Sequence, residues 1–278
     1  MKDRMIALNP DGTWEAKADE IAEEEPLELR FGKKTLAVTM RTPGHDQELA
    51  IGFLLSESVI NGMSDLRSVQ HCRLSVPSQN RLKILFAKGF APQMEQLERY
   101  GTIHSSCGVC GKKTIDAALS CDAPLSIRPR ISPEILLKMP ELFALEQKSF
   151  HSCGGLHAAA LFDGEGRLLV LREDIGRHNA VDKVIGWSAL QNYRPLTECA
   201  LMVSGRISFE IIQKAYTSRI SVVAAVSAPS TLAIQFARRS GQTLIGFLRP
   251  PRMNVYSHIE NLRMIISNAP FSPQVKST

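Results

Sequence analysis

Ala200-Leu201-Met202-Val203-Ser204-Gly205-Arg206 decides the fold. Four apolar residues run without a break and stop at Ser-Gly-Arg, and Ile207–Thr217 then takes helical spacing. An unbroken apolar run suits a strand that helices cover on both faces, whereas strict alternation would mark a half-exposed one. The unit recurs downstream. Val222–Ser227 reads as a strand, Ser230–Arg239 as a helix, Thr243–Leu248 as a strand and Ile259–Ile266 as a last helix. Upstream, Ala158–Phe162 and Leu168–Arg172 flank Asp163-Gly164-Glu165-Gly166 as a hairpin, and Arg177–Leu190 reads as a helix. Strand–helix alternation of this kind predicts a three-layer α/β domain whose later strands are mostly parallel.

The chain before that domain has a different texture. Arg4–Leu8 and Thr13–Lys17 flank Pro10-Asp11-Gly12 as a hairpin, and Leu27–Phe31 with Thr35–Met40 make a second. His45–Ile60 has near-helical apolar spacing and stops at Asn61-Gly62. Val69–Val76 and Arg81–Phe86 make a third hairpin, followed by a short helix at Pro92–Tyr100. Ser132-Pro133-Glu134 is an N-cap with proline at the first helical position, so a helix is expected from there toward Leu145, kinked at Pro140. The expected organisation is a small N-terminal α+β subdomain over 1–100, a flexible loop and linker over 101–130, and the α/β domain over 131–278 with a disordered tail from 268 to 278.

Composition is that of an ordinary globular protein: 44% hydrophobic, 22% charged, net charge +5. No segment approaches the roughly 18 apolar residues of a membrane helix. The first residues lack a secretory apolar core, so a cytoplasmic location is the expectation. Neither a polybasic run nor an aromatic platform suggests nucleic acid. Six cysteines in 278 residues are too sparse for a disulfide framework.

The segments just beyond the predicted strands share one chemistry. Asp174-Ile175-Gly176-Arg177-His178 leads into a helix that carries Asp182 and Lys183; Ser204-Gly205-Arg206 comes after the next strand; Ser227-Ala228-Pro229-Ser230-Thr231 comes after the third; Phe247-Leu248-Arg249-Pro250-Pro251-Arg252 ends the last. Small and hydroxylic residues at helix starts, together with arginines, bind phosphate through free backbone N–H groups and forked guanidinium contacts. In open α/β sheets such ligands gather beyond the carboxyl ends of the strands. Arg177, Lys183, Arg206, Arg249 and Arg252 are therefore candidates to converge on one anion, for which a pyrophosphate-bearing nucleotide is suitable. Neither a P-loop nor a dinucleotide fingerprint is present. Asp174 and Asp182 share a helix face if the helix already includes Asp174.

The remaining candidate is Ser105-Ser106-Cys107-Gly108-Val109-Cys110-Gly111. Lys112 and Lys113 and a nearby helix start would favour thiolate at Cys107 or Cys110. The pair alone admits sulfur or disulfide chemistry, half of a zinc site with His104, Cys121, His151 or Cys153, or two inert thiols. The zinc deaminase signature is not met, because Ser106 rather than proline precedes Cys107 and no His-x-Glu lies upstream.

Several of these stretches together resemble the FdhD family of formate dehydrogenase accessory sulfurtransferases, or sulfur carrier proteins. They are Cys107-Gly108-Val109-Cys110-Gly111, Gly154-Gly155-Leu156-His157, Glu173 through Lys183, Ser204-Gly205-Arg206 with Glu210, Val226 through Thr231, and Gly246 through Arg252 with Tyr256-Ser257-His258. The likeness runs from about Glu24 to His258. It implies a cytidine-deaminase-like fold with a small N-terminal subdomain, in a homodimer. It also implies a job: sulfur is accepted from a cysteine desulfurase as a persulfide on Cys107, with Cys110 as companion. That sulfur then goes to the molybdenum or tungsten of a bis(molybdopterin guanine dinucleotide) before the cofactor enters the formate dehydrogenase apoenzyme. Phe247–Arg252 matches the family's cofactor-binding stretch, so GDP or GMP are the implied fragment ligands, and the protein itself needs no metal. Two alternatives remain from the residues: a chaperone that binds cofactor without carrying sulfur, and a structural zinc protein.

Overall fold

Twelve strands in three sheets and six helices make up the described part of the chain, in a mixed α/β arrangement. The computed structural model describes residues 2–72, 78–92, 121, 123–125 and 131–263. Cys107, Cys110, nearly all of the expected Pro92–Tyr100 helix and the tail from 268 lie outside the described residues.

The central sheet contains β7 (His157–Phe162), β8 (Leu168–Asp174), β9 (Ala200–Val203), β10 (Val222–Ala225), β11 (Thr243–Arg249) and β12 (Arg252–Ser257), ordered β12-β11-β10-β9-β7-β8. The strands β9, β10 and β11 are parallel, as their apolar runs predict, and β7, β8 and β12 run antiparallel to their neighbours. Alternate residues serve opposite faces. Ala200, Met202, Val222, Ala224 and Ile245 meet Leu136, Met139 and Phe143 of α2 (Pro133–Leu145). Leu201, Val203, Val223, Ala225 and Leu244 meet α4 (Arg177–Leu190), α5 (Phe209–Thr217) and α6 (Thr231–Ser240). The short α3 (Lys148–Cys153) precedes the sheet. Two caps form as their sequences predict: Ser132 Oγ accepts the Ile135 N–H at 3.4 Å and Ser230 Oγ accepts the Ala233 N–H at 3.2 Å. The helix runs on through Pro140.

A second, four-stranded sheet is ordered β4 (Lys34–Arg41), β3 (Glu25–Phe31), β6 (Arg81–Phe86), β5 (Leu66–His71). With α1 (Asp46–Ser56) it shares one continuous hydrophobic cluster with α4 and the central sheet: Leu27, Leu29, Leu82 and Ile84 join Leu49, Leu54, Val181, Ile185 and Leu201. A hairpin of β1 (Lys2–Leu8) and β2 (Trp14–Glu20) forms a two-stranded sheet of its own, with Ile6, Leu8 and Trp14 exposed.

The two sheets are joined where α1 crosses α4. The backbones meet so closely that a Cβ on Gly52 would land on the Asp182 carbonyl, and one on Gly186 on the Glu48 carbonyl. Three ionic ties, two of them buried and one half-buried, surround this crossing. Arg172 of β8 grips the Glu48 carboxylate with two bonds, of 2.6 and 2.8 Å. Lys214 of α5 reaches Asp182 at 3.0 Å and Ser56 and Glu57 at 2.8 Å. Burial disfavours the Lys214 ammonium, but the Asp182 and Glu57 carboxylates outweigh that and hold its pKa above the ordinary lysine value. Lys183 pairs with Asp174 at 2.7 Å and donates to the Thr42 carbonyl at 2.9 Å, which carries the link back to the end of β4.

Three expectations are corrected. Asp174 ends β8 and lies outside α4, so it shares no helix face with Asp182. The segment after Pro251 forms β12, which hydrogen-bonds to β11. The expected helix from Ile259 is a single 3-10 turn over Ile259–Asn261 within the described residues.

The crossing makes one quantitative expectation. Gly186→Ala improves helix propensity by about 1 kcal/mol, yet it places a methyl on a backbone carbonyl that only separation of the helices can relieve. A net loss of about 2 kcal/mol is expected in denaturant unfolding, against no measurable change for Gly62→Ala, whose Cβ would meet nothing closer than 4.0 Å. Equal stability of the two variants would contradict the crossing.

Candidate functional site

Parallel pairing brings five loop segments to one edge of the central sheet. In register, Val203 lies beside Ala225 and Ala159, His157 beside Asp174, and Arg249 beside Arg252. The carboxyl ends of β8, β9, β10 and β11 and the starts of β7 and β12 therefore share that edge. Backbone hydrogen bonds lace the loops into a row. Ser204 N–H donates to the Ala158 carbonyl at 3.0 Å, Ile207 N–H to Ala228 at 3.2 Å, Ser230 N–H to Ile207 at 2.9 Å, and Phe247 N–H to Ser227 at 3.1 Å. Ala158 N–H in turn donates to Ser204 Oγ at 2.9 Å.

At the β10–β12 end of the row the chemistry faces outward. Arg206, Arg249 and Arg252 are exposed, as are Ser230, Thr231, Pro250 and Pro251, and Ser227 is half-buried. Arg249 Nε donates to the Val226 carbonyl at 3.1 Å, which anchors one side of its guanidinium. Leu248 points the other way, into the core beneath α2. Phe247 stands between them, 42% exposed as a residue and with a backbone φ of 51°. A left-handed aromatic residue costs on the order of 1 kcal/mol, and such strain persists mostly where a function needs the displayed side chain.

At the β7–β9 end the row is a compact polar cluster. Gly205 lets the chain pass so close to His157 that an added Cβ would lie 3.2 Å from its Nδ1. Burial, with the Arg177 and His178 charges, lowers the pKa of His157, which keeps its ring neutral near pH 7; Asp174 opposes this. Beside it, Ser208 Oγ donates to Glu210 Oε2 at 2.6 Å, and His178 Nε2 stands 3.4 Å from both Glu210 Oε2 and Ser208 Oγ. Burial alone would push the Glu210 carboxyl up, but hydrogen bonds from His178 and Ser208 hold it at about 2.

Not every candidate reaches this edge with a usable group. Asp174 is fully buried: Oδ1 accepts from Gly176 N–H at 2.8 Å and Asn179 Nδ2 at 2.9 Å, while Oδ2 accepts from Thr42 N–H at 3.2 Å and pairs with Lys183. Lys183 is buried with it. Both serve the junction between the sheets. Arg177 is half-buried at the start of α4, its Cδ 4.0 Å from where a Gly205 Cβ would sit. The partnership of Ser208 and Glu210 with His178 is not legible in the sequence, because it joins groups some thirty positions apart.

The segment that carries Cys107 and Cys110 is described only where it returns. Tyr216 Oη donates to the Ala123 carbonyl at 2.8 Å, and Leu125 N–H donates to the Ser240 carbonyl at 2.7 Å. Ser240 precedes β11, so this anchor lies at the end of the sheet opposite the arginine-bearing edge. Among the described residues no group of three or more His, Cys, Asp or Glu side chains could hold a metal ion. His258 and Glu260, which do have His-x-Glu spacing, are tied to each other at 2.9 Å, and the second His258 nitrogen lies 3.0 Å from the Arg238 carbonyl. Burial raises the Cys199 thiol pKa to about 12, so it is no nucleophile.

Known proteins resemble this chain over most of its length. Residues 22–263 match the model of the FdhD/NarQ family. Curated relatives named sulfur carrier protein FdhD include one from Mycolicibacterium paratuberculosis, 45% identical over 89% of this chain and 93% of the relative. Another, from Streptomyces coelicolor, is 45% identical over 94% and 95%. A third, from Sulfolobus acidocaldarius, is 40% identical over 92% and 96%. The crystal structure of a protein from Desulfotalea psychrophila, assigned as a formate dehydrogenase accessory protein, superposes with a TM-score of 0.73 over 95% of this chain and 99% of that one. At 23% identity that likeness speaks for the fold. No helix among the described residues is long and apolar enough to cross a membrane. The chain belongs to the FdhD/NarQ family.

Proposed function

We propose that this chain is a sulfur carrier that serves formate dehydrogenase, acting in the cytoplasm as a homodimer with a cytidine-deaminase-like α/β unit. The Cys107 thiolate attacks the sulfane sulfur of a cysteine desulfurase persulfide, forming a new S–S bond as the desulfurase thiolate leaves. The terminal sulfur then passes to the metal of a bis(molybdopterin guanine dinucleotide) substrate. The S–S bond breaks, Cys107 leaves as thiolate, and the substrate's reduced metal gives the two electrons that turn sulfane sulfur into a sulfido ligand. The substrate goes on to the formate dehydrogenase apoenzyme. Cys110 stabilises or resolves the persulfide. The observation that supports this reading is the laced sheet edge, where Arg206, Arg249, Arg252 and the left-handed Phe247 are all exposed. Guanidinium forks suit a diphosphate and an exposed ring suits a guanine face. Family membership and the names of the curated relatives supply the sulfur chemistry. The charged edge and the anchor of the cysteine-bearing segment lie at opposite ends of the sheet. Extended chain from Cys107 to Cys121 spans at most roughly 50 Å, enough to bridge a sheet of this size.

Two measurements check this. After incubation with a cysteine desulfurase and cysteine, mass spectrometry is expected to find an added mass of about 32 Da, one sulfur atom, on the Cys107 peptide. Loss of formate dehydrogenase maturation in Cys107→Ala with GDP binding retained is the accompanying expectation. An adduct only on Cys72 or Cys199 would refute Cys107 as the carrier, and full maturation by Cys107→Ala would leave a cofactor-binding chaperone instead.

The nucleotide half is tested by Phe247→Gly. Glycine adopts φ 51° freely, so the variant is expected to gain roughly 1 kcal/mol of stability while its affinity for GDP falls about 10-fold. Arg249→Ala is expected to weaken GDP by about 10-fold or more. Unchanged GDP affinity in both variants would remove this edge as the nucleotide site.

A further inference from the structure

The hairpin of β1 and β2 takes no part in the sulfur or nucleotide chemistry, and its two faces differ. In register, Ile6 lies opposite Ala16 and Leu8 opposite Trp14, which puts Ile6, Leu8, Trp14, Ala16 and Ala18 on one face, with Lys2, Arg4 and Glu20 at its far end. On that face Ile6 is 70% exposed, Trp14 67% and Leu8 58%. The opposite face carries Asp3, Glu15, Lys17 and Asp19, all exposed, together with Met5 and half-buried Ala7. A lone two-stranded hairpin is marginally stable in water, and an apolar face displayed on one marks a surface that another protein covers. Charge adds to the pattern. Residues 1–25 hold eight acidic and three basic residues, in a chain that holds 28 and 33 overall. Asp19, Glu20, Glu23 and Glu24 are exposed where the hairpin joins the body, and Glu20 lies 3.7 Å from Lys2.

The base of the hairpin sits at the edge of the central sheet that bears the arginines. The helix α3 lies beside β2, and a Cβ added to Gly155, two residues before the start of β7 at His157, would be 3.4 Å from that of Ala22. Glu173, near the carboxyl end of β8, accepts the Ser149 and Phe150 N–H groups of α3 at 2.9 and 2.7 Å and holds the helix there. Carboxylates beside a diphosphate site oppose the anion, so they do not serve the nucleotide. They suit a protein that must itself bind that anion, because cations around its entrance complement an acidic arm. We propose that the hairpin is a docking arm for the enzyme that takes over the diphosphate-bearing substrate. Ile6, Leu8 and Trp14 fill an apolar groove on that enzyme, and the carboxylates from Asp19 to Glu24 meet the cationic rim of its substrate entrance. The inference rests on the reading above, in which the receiving enzyme is the formate dehydrogenase apoenzyme, and adds the surface by which the two proteins meet. The cysteine-bearing segment is anchored at the opposite end of the sheet, so the sulfur donor is expected there and not at the hairpin.

The test measures capture of cofactor-free formate dehydrogenase by the full chain, as association and dissociation rates at low and at high salt. Ile6→Ser combined with Trp14→Ser is expected to weaken capture by about 10-fold or more, mainly through faster dissociation. Asp19→Lys combined with Glu24→Lys is expected to slow association about 10-fold at low salt and to have little effect at high salt. Asp19 faces Asp3 across the hairpin, so lysine there favours the pairing, and this variant decides should the serine variant lose the hairpin. In both variants persulfide loading of Cys107 and the dimer mass are expected to match wild type, and GDP affinity is expected not to fall. Capture equal to wild type in both variants would overturn this proposal and leave the reading above intact. So would undiminished capture with loss of the dimer, which would give the apolar face to a second copy, or with slower persulfide loading, which would give it to the sulfur donor. A wild-type chain that captures no apoenzyme would overturn the proposal together with the formate dehydrogenase reading.

Discussion

The contact of two helix backbones at Gly52 and Gly186 is the constraint on which the rest of the structure depends. Without side chains at those positions each glycine of α1 and α4 lies against a carbonyl of the other helix, and the four-stranded sheet is carried onto the helical face of the central sheet. Close backbone approach is cheap in dispersion terms but leaves little room for error, and the surroundings reflect it. Three pairs tie the N-terminal part of the chain to the α/β unit: Glu48–Arg172 directly, Asp182–Lys214 through the Ser56 and Glu57 side chains, and Asp174–Lys183 through the Thr42 backbone. Buried pairs of this kind add little net stability, since desolvation offsets most of the attraction. What they add is registration. Any sliding of α1 along α4 would leave a buried charge without its partner.

That registration matters at the sheet edge. The helix α4, fixed at its middle by the crossing, starts at Arg177 and His178, so the position of the polar cluster is set by packing well away from it. The loops beyond β9, β10 and β11 are then bound to one another by main-chain hydrogen bonds, which leaves their side chains to face outward from a stiff base. A site built this way holds its cations apart before any anion arrives, and loses less freedom on binding than arginines on loose loops would. The left-handed backbone at Phe247 fits the same pattern: local strain is tolerated because the neighbouring strands fix both of its ends.

Much of this architecture is legible in the sequence. Unbroken apolar runs at Ala200–Val203 and Val222–Ala225 identify covered parallel strands, and Arg177–Leu190 is bounded as a helix to the residue. The strand β12 is not legible, because an edge strand with Arg252, Asn254 and Tyr256 among its residues carries too few buried positions to announce itself. Asp174 and Lys183 show a different limit. The same two side chains would serve a phosphate ligand or a buried ion pair, and only their complete burial against Thr42 distinguishes the two. Glu210 shows a third: its meaning lies in a contact with His178 that no local pattern encodes. Cys107 and Cys110 are plain as a motif, yet the described residues fix only the far anchor of their segment.

The position of an anionic nucleotide decides between these readings of the sheet edge. The most direct measurement is a crystal structure of the chain with GDP. It should find the diphosphate against Arg249 and Arg252 at the edge formed by Ser204–Arg206, Ser227–Thr231 and Phe247–Arg252, with guanine against the Phe247 ring. GDP lodged at the opposite end of the sheet near Ser240, or on the four-stranded sheet, with that edge empty, would contradict it.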